Sequence, residues 1–318
     1  FNFWQAESCF ALNLDKTALA ATLASHTLPN TIDMGLMFPN LTYLHLEGSE
    51  SISDYFIGTL PHTLKTLRFF SYRKADLQYV TEACLDLFPP HLTSLTMTLP
   101  FFLLGVQIAR LPRSLRYFEL SMTEIQSVTS ADWPPELEEL HLPHSRTFND
   151  KFLLDLPATL RVLSLPQADQ LSSTAFDKVP RKLESLTSWC RAGSPPTSLS
   201  PTSLPNTLKT LHLIGTKNWG DTEVQALPRD LTHLVLHRAE EVTDRFSGLL
   251  PRNLTVLTAF LHLARISGEC VKDLPRTLVK LDLEFNRNHK GPDNANVAEL
   301  PRTLTDLSLS YAAALTDH

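Results

Sequence analysis

The chain has 318 residues, 43% of them hydrophobic, and a formal net charge of −6. That balance argues against a general nucleic-acid binder, which presents a basic surface to phosphate. No apolar run reaches the length of about 18 residues that a membrane-crossing helix needs.

Taken in order, the first 37 residues fall outside the pattern that governs the rest. Phe10-Ala11-Leu12-Asn13-Leu14 alternates as an edge strand does, and Lys16 to His26 reads as a short Ala/Leu helix. Residues 1–37 are expected to form an N-terminal cap, or a degenerate repeat within one, covering the apolar end of an array.

From residue 38 onward one phrase returns. Its clearest copy is Leu274-Pro275-Arg276-Thr277-Leu278-Val279-Lys280-Leu281-Asp282-Leu283, or LPxxLxxLxL. The first leucines of the copies are Leu41, Leu64, Leu92, Leu115, Leu137, Leu160, Leu183, Leu208, Leu231, Leu254, Leu278 and Leu304. The intervals run from 22 to 28 residues, too regular for chance. A repeat array grows in one dimension, so length alone sets no domain count here.

Within each copy the LxxLxL segment alternates apolar and polar, the mark of a half-buried strand. Eleven positions after the first leucine stands an apolar anchor: Ile52, Phe148, Leu171, Trp219, Val242 or Leu315. Two residues later stands a helix-capping type: Asp54, Asp150, Ser173, Asp221, Asp244, Ser267 or Asp317. A short helix is expected from there to the next Leu-Pro, where proline ends it. Three copies are stretched, by Tyr72 to Leu85, by Asn286 to Asn296, and by the loop Arg191 to Thr197. The chain starts at Phe1 and its array stops partway through a copy at His318, so a processed or truncated piece is expected.

These phrases resemble those of leucine-rich-repeat proteins over residues 38–318. LPxxLxxLxL is similar to the LP-type repeats of bacterial secreted ubiquitin-ligase effectors. It is more similar still to the FNIP repeats of amoebae and their viruses, in which LPxSLxxLxL is followed by Phe-Asn. Phe148-Asn149 keeps that pair here. The chain departs from the family in its ninth position, where Ser49, Thr123, Ser145, Ala168, Thr216, Ala239 and Ala312 replace the usual Asn and only Asn286 retains it. The resemblance implies an α/β architecture: a right-handed, open leucine-rich-repeat solenoid of about 12 repeats plus the cap, with a concave parallel β-sheet and short convex helices. It also implies a recognition module.

Solvent-facing residues of successive strands form three rows across such a sheet. The outer row holds Trp189, Ile214, His237 and Phe260 in consecutive copies, with His212, His233, Val235 and Val256 beside them. An apolar patch on a wet face is a contact surface for a protein partner, unless a loop such as the one after Trp189 covers it. A second ladder, Arg113, Arg181, Arg229, Arg252, Arg276 and Arg302, follows the prolines. Positive charge there complements helix C-termini; the alternative is an edge for an acidic partner, carried by Arg229, Arg252, Arg276 and Arg302.

No catalytic constellation, metal site or cofactor is expected. His233 and His237 share a strand face but stand about 13 Å apart, and His141 and His144 have no cysteine or carboxylate in register. The ten glycines make no phosphate loop. The four cysteines, Cys9, Cys84, Cys190 and Cys270, lie at least 75 residues apart, so no disulfide framework forms among them. That favours the cytoplasm over secretion, and the sequons at Asn40 and Asn253 are as many as chance supplies. The functional expectation is non-enzymatic protein recognition. The alternatives are a self-associating scaffold subunit and, third, the substrate-receptor arm of a ubiquitin ligase.

Overall fold

The computed structural model describes residues 19–24, 33–47, 52–71, 77–121, 124–143, 148–166, 171–172, 174–189, 200–261, 264–286 and 291–311. The side chains of residues 19–24, 47, 70, 166, 176 and 189 are outside the description. The expected strand at 10–14, the loop Arg191–Thr197, Cys9 and Cys190 also lie outside it. The chain forms two compact units, residues 1–147 with 155–160, and residues 148–154 with 161–318.

In unit 1 the elements run β1 (Leu19–Ala24), α1 (Met34–Met37), β2 (Leu41–Glu47), α2 (Asp54–Gly58), β3 (Thr66–Phe70), β4 (Ser94–Thr98), β5 (Leu103–Leu104), α3 (Gly105–Ile108), β6 (Tyr117–Ser121), β7 (Ile125–Gln126) and β8 (Glu139–His141). Strands β1, β2, β3, β4, β6 and β8 pair in that order, all parallel. β5 and β7 make a separate parallel pair. The helix expected over Lys16–His26 is corrected by β1: after an irregularity at Leu19, residues 20–24 pair in continuous parallel register with residues 43–47 of β2. A sheet edge offering a row of open hydrogen bonds overrides the weak helical preference of a short Ala/Leu run.

Unit 2 continues with α4 (Asp150–Leu154), β9 (Val162–Pro166), β10 (Ser185–Trp189), β11 (Thr210–Ile214), α5 (Asp221–Gln225), β12 (His233–His237), α6 (Phe246–Leu249), β13 (Val256–Phe260), β14 (Lys280–Glu284), α7 (Asn294–Ala298) and β15 (Asp306–Ser310). Its strands also pair consecutively and in parallel. Short 3₁₀ turns at Glu82–Asp86, Ala175–Lys178, Pro201–Ser203 and Gly268–Asp273 take the place of helices in four coils.

The repeated phrase encodes this geometry directly. The proline carbonyl accepts from the N–H of the leucine three residues on, as in Pro251 to Leu254 at 3.2 Å and Pro275 to Leu278 at 3.2 Å. This tight turn feeds the chain into the strand. Proline lacks an N–H and pushes its predecessor toward extended backbone, so the helical side stops there. The leucines of the strands then stack inward: Leu211, Leu234, Leu257 and Leu281 in one layer, Leu208, Leu231, Leu254 and Leu278 in another, all buried. Each such burial contributes about 1.5–3 kcal/mol relative to an exposed side chain.

Two polar devices tie one coil to the next. The Ser or Thr before the first leucine donates its hydroxyl to backbone carbonyls of the preceding coil. Thr277 reaches Arg252 O at 2.8 Å and Leu254 O at 2.7 Å, and Ser114, Thr207 and Thr303 repeat the contact. On the helical side, Asp54, Asp150, Asp221 and Asp244 each accept from the N–H and the hydroxyl of Thr81, Ser172, Thr243 and Ser267 in the following coil.

That second device corrects the capping expectation. At three of the sites the N-cap falls one residue earlier or on another group. Ser53 accepts from Phe56 N–H, Asn149 Oδ1 accepts from Phe152 N–H, and Glu223 accepts from Gly220 N–H. The aspartates open the helices and reach across to the neighbouring coil instead. Ser267 does cap, accepting from Glu269 N–H at 3.2 Å.

Candidate functional site

Parallel register across unit 2 decides which side chains share its open face, the one turned away from the helical segments. Trp189 is opposite Ile214, Ile214 opposite His237, His237 opposite Phe260, and Phe260 opposite Glu284. The middle row runs His212, Val235, Thr258, Asp282, and the inner row Thr210, His233, Val256, Lys280. The eight residues singled out from sequence therefore occupy four neighbouring strands, β10 to β13. The backbone of Trp189 ends β10, while its side chain lies outside the described residues.

Within the row the rings touch. The His237 ring centroid is 4.2 Å from that of Phe260, tilted by 45°, and 6.0 Å from that of His212. Tilted ring pairs of this kind add about 0.5–1.5 kcal/mol beyond their buried area. His212 Nε2 is buried and meets no hydrogen-bond partner among the described residues. Burial also lowers the pKa of His212 from its ordinary 6.5, so at pH 7 it is neutral and behaves as an apolar wall. His233 is exposed at the other end of β12, with Nδ1 2.9 Å from the Thr232 hydroxyl.

The arginine ladder has a different environment. Arg276 donates to Glu299 O at 2.6 Å in the next coil and to Lys272 O at 3.1 Å in its own. Arg229 repeats this with Leu249 O and Gln225 O, Arg181 with Ser203 O and Asp177 O, and Arg252 reaches Gly248 O. These guanidinium groups satisfy the open carbonyls at the ends of short helical segments. Arg302 is exposed on the last described coil.

Cys84 and Cys270 are free thiols, each 0% exposed. Burial pushes both up to about 12, away from the thiolate a nucleophile requires. Among the described residues, no three His, Cys, Asp or Glu side chains converge on a point that could hold a metal ion. Among the same residues, no helix is long and apolar enough to cross a membrane.

Sequence reasoning missed a polar cluster on the open face of unit 1. Arg68, Thr96, Glu119 and His141 lie in consecutive register on β3, β4, β6 and β8, which corrects the expectation that His141 has no carboxylate in register: Glu119 is opposite it on the neighbouring strand. Tyr117 donates to Glu119 Oε2 at 2.7 Å and its ring lies 5.1 Å from His141. Burial, then the neighbouring Glu119, raises the Tyr117 phenol well above its ordinary pKa. The signal was present in the middle row, but polar residues on a strand's wet face are ordinary until their contacts are seen.

Solved structures share this architecture. An internalin, inlF, from Listeria monocytogenes is 17% identical over 91% of this chain and 86% of its own, with a TM-score of 0.53. TLR13, solved in complex with the RNA ssRNA13, is 18% identical over 91% of this chain and 49% of its own, at 0.54. The yeast Rad7–Elc1 complex gives 16% identity over 83% of this chain and 68% of the other, at 0.53. The chain has the leucine-rich-repeat fold. No family model and no curated protein matches the sequence.

Proposed function

We propose that the chain is a non-enzymatic protein-recognition module whose contact surface is the open face of unit 2. The observation that carries this is the ring pair of His237 and Phe260, set in register beside Ile214 on a sheet face that carries no helix among the described residues. Aromatic and branched side chains held on rigid, adjacent strands are what a partner's anchor residues pack against. The fold supports the reading by analogy, since one neighbour was solved as the Rad7–Elc1 complex. The two described thiols are buried core residues and offer no alternative chemistry.

The test is affinity capture from the source material with wild type, Ile214→Asp and Phe260→Asp compared side by side. A protein retained by wild type and lost from both variants, whose melting is unchanged, is the expected result. Equal capture by folded variants would overturn the reading. Recovery of the same chain from every bait would identify a scaffold subunit instead.

A further inference from the structure

The row that holds Trp189 does not end at Phe260. It continues in register onto Glu284, and the middle row continues from Thr258 onto Asp282. Beyond them β15 places Asp306 opposite Lys280. Among the described residues, the open face of β14 and of the start of β15 therefore carries three carboxylates, Asp282, Glu284 and Asp306, against one ammonium, Lys280. Among the described residues, the Asp282 carboxylate has neither a hydrogen bond nor an ion pair, although it is only partly exposed. The apolar and acidic zones are one strand apart, on the same face.

We propose that the partner segment bound here pairs an aromatic or aliphatic anchor with a lysine or arginine. This rests on the recognition reading above and adds the partner's chemistry to it. The anchor packs on Ile214, Val235 and the His237–Phe260 pair, while the cation is answered by the Asp282 carboxylate, with Glu284 next to it on the same strand face. From β12 to β14 is two strand spacings, about 10 Å, which an extended partner covers in about three residues. Opposite charge at the end of an apolar contact fixes its direction and register and rejects acidic segments. An isolated group of carboxylates would carry no such specificity; its continuity with the apolar row does.

A displayed library of random peptides tests this on the whole chain. Selection is run on wild type, on Phe260→Asp, on Asp282→Lys/Glu284→Lys, and on a control reversal in unit 1, Glu136→Lys/Glu138→Lys, each checked by thermal melting. Wild type and the control should enrich peptides with Lys or Arg within about four residues of an aromatic or branched aliphatic residue. The β14 reversal should weaken those clones by about tenfold or more and enrich Asp or Glu at the same place. Phe260→Asp should enrich neither. If wild-type clones depend on Phe260 but show no basic preference, or if both reversals act alike, the basic partner falls and the recognition reading stands. If no enrichment depends on Phe260, both fall.

Discussion

Asp244 accepts two hydrogen bonds from Ser267 on the following coil, from its N–H at 2.6 Å and its hydroxyl at 2.8 Å. The same clasp joins Asp54 to Thr81, Asp150 to Ser172 and Asp221 to Thr243. At Asp150 burial raises the carboxyl, but the ammonium of Lys178 at 2.6 Å and the Ser172 donors outweigh it and hold the pKa below its ordinary value. A one-dimensional array depends on such nearest-neighbour terms, because each coil touches little else.

Asp244→Ala removes both acceptors and leaves the partly buried Ser267 N–H without one. Hydrogen bonds to a charged group contribute about 1.5–3 kcal/mol. For a unit of this size that is a fall in Tm of about 3–12 °C. Calorimetry of the variant checks it, and a shift of under about 1 °C would make the clasp decorative.

The hydroxyl ladder is tested at Thr277, which donates to Arg252 O and Leu254 O. Thr277→Val keeps the shape and loses the donor, and is expected to destabilise by about 1 kcal/mol, whereas Thr277→Ser should restore most of that. Urea midpoints of the three proteins, measured together, decide between hydrogen bonding and packing.

Cys84 and Cys270 should resist a thiol reagent at pH 8 in the folded protein, because burial excludes the reagent and holds both thiols protonated. Peptide mapping after alkylation, native against urea-unfolded, reads both sites. Rapid native labelling of either would contradict its place in the core.

Acid should act through His212. Its folded pKa lies below 6.5, so the stability from burying it neutral is fully present above about pH 6.5 and is lost as pH falls through the depressed value. His212→Gln should therefore show a smaller drop in urea midpoint between pH 7.5 and pH 5 than wild type. Parallel curves for the two proteins would remove His212 from the acid response.

Much of this was legible in the sequence because it depends on local pattern. LPxxL writes a turn with Pro251 accepting from Leu254, and the alternation after it decides which residues of β13 face inward. Register followed too: equivalent positions of similar copies pair, so the repeat phase by itself sets Ile214, His237 and Phe260 in one row. The helix expected over Lys16–His26 failed for the opposite reason. Local propensity favoured it, and the edge of β2 outbid it.

By itself, then, the sequence determined the coil, its period and the rows of the open face, since each follows from the backbone's two-residue alternation and the proline stop. Only the tertiary structure decided what the polar residues do. Asp54, Asp150 and Asp221 read as caps for their own helices, yet their carboxylates bind the next coil. Hydrogen-bond partners are set by distances across coils, about 23 residues apart in the chain, and no local pattern contains them.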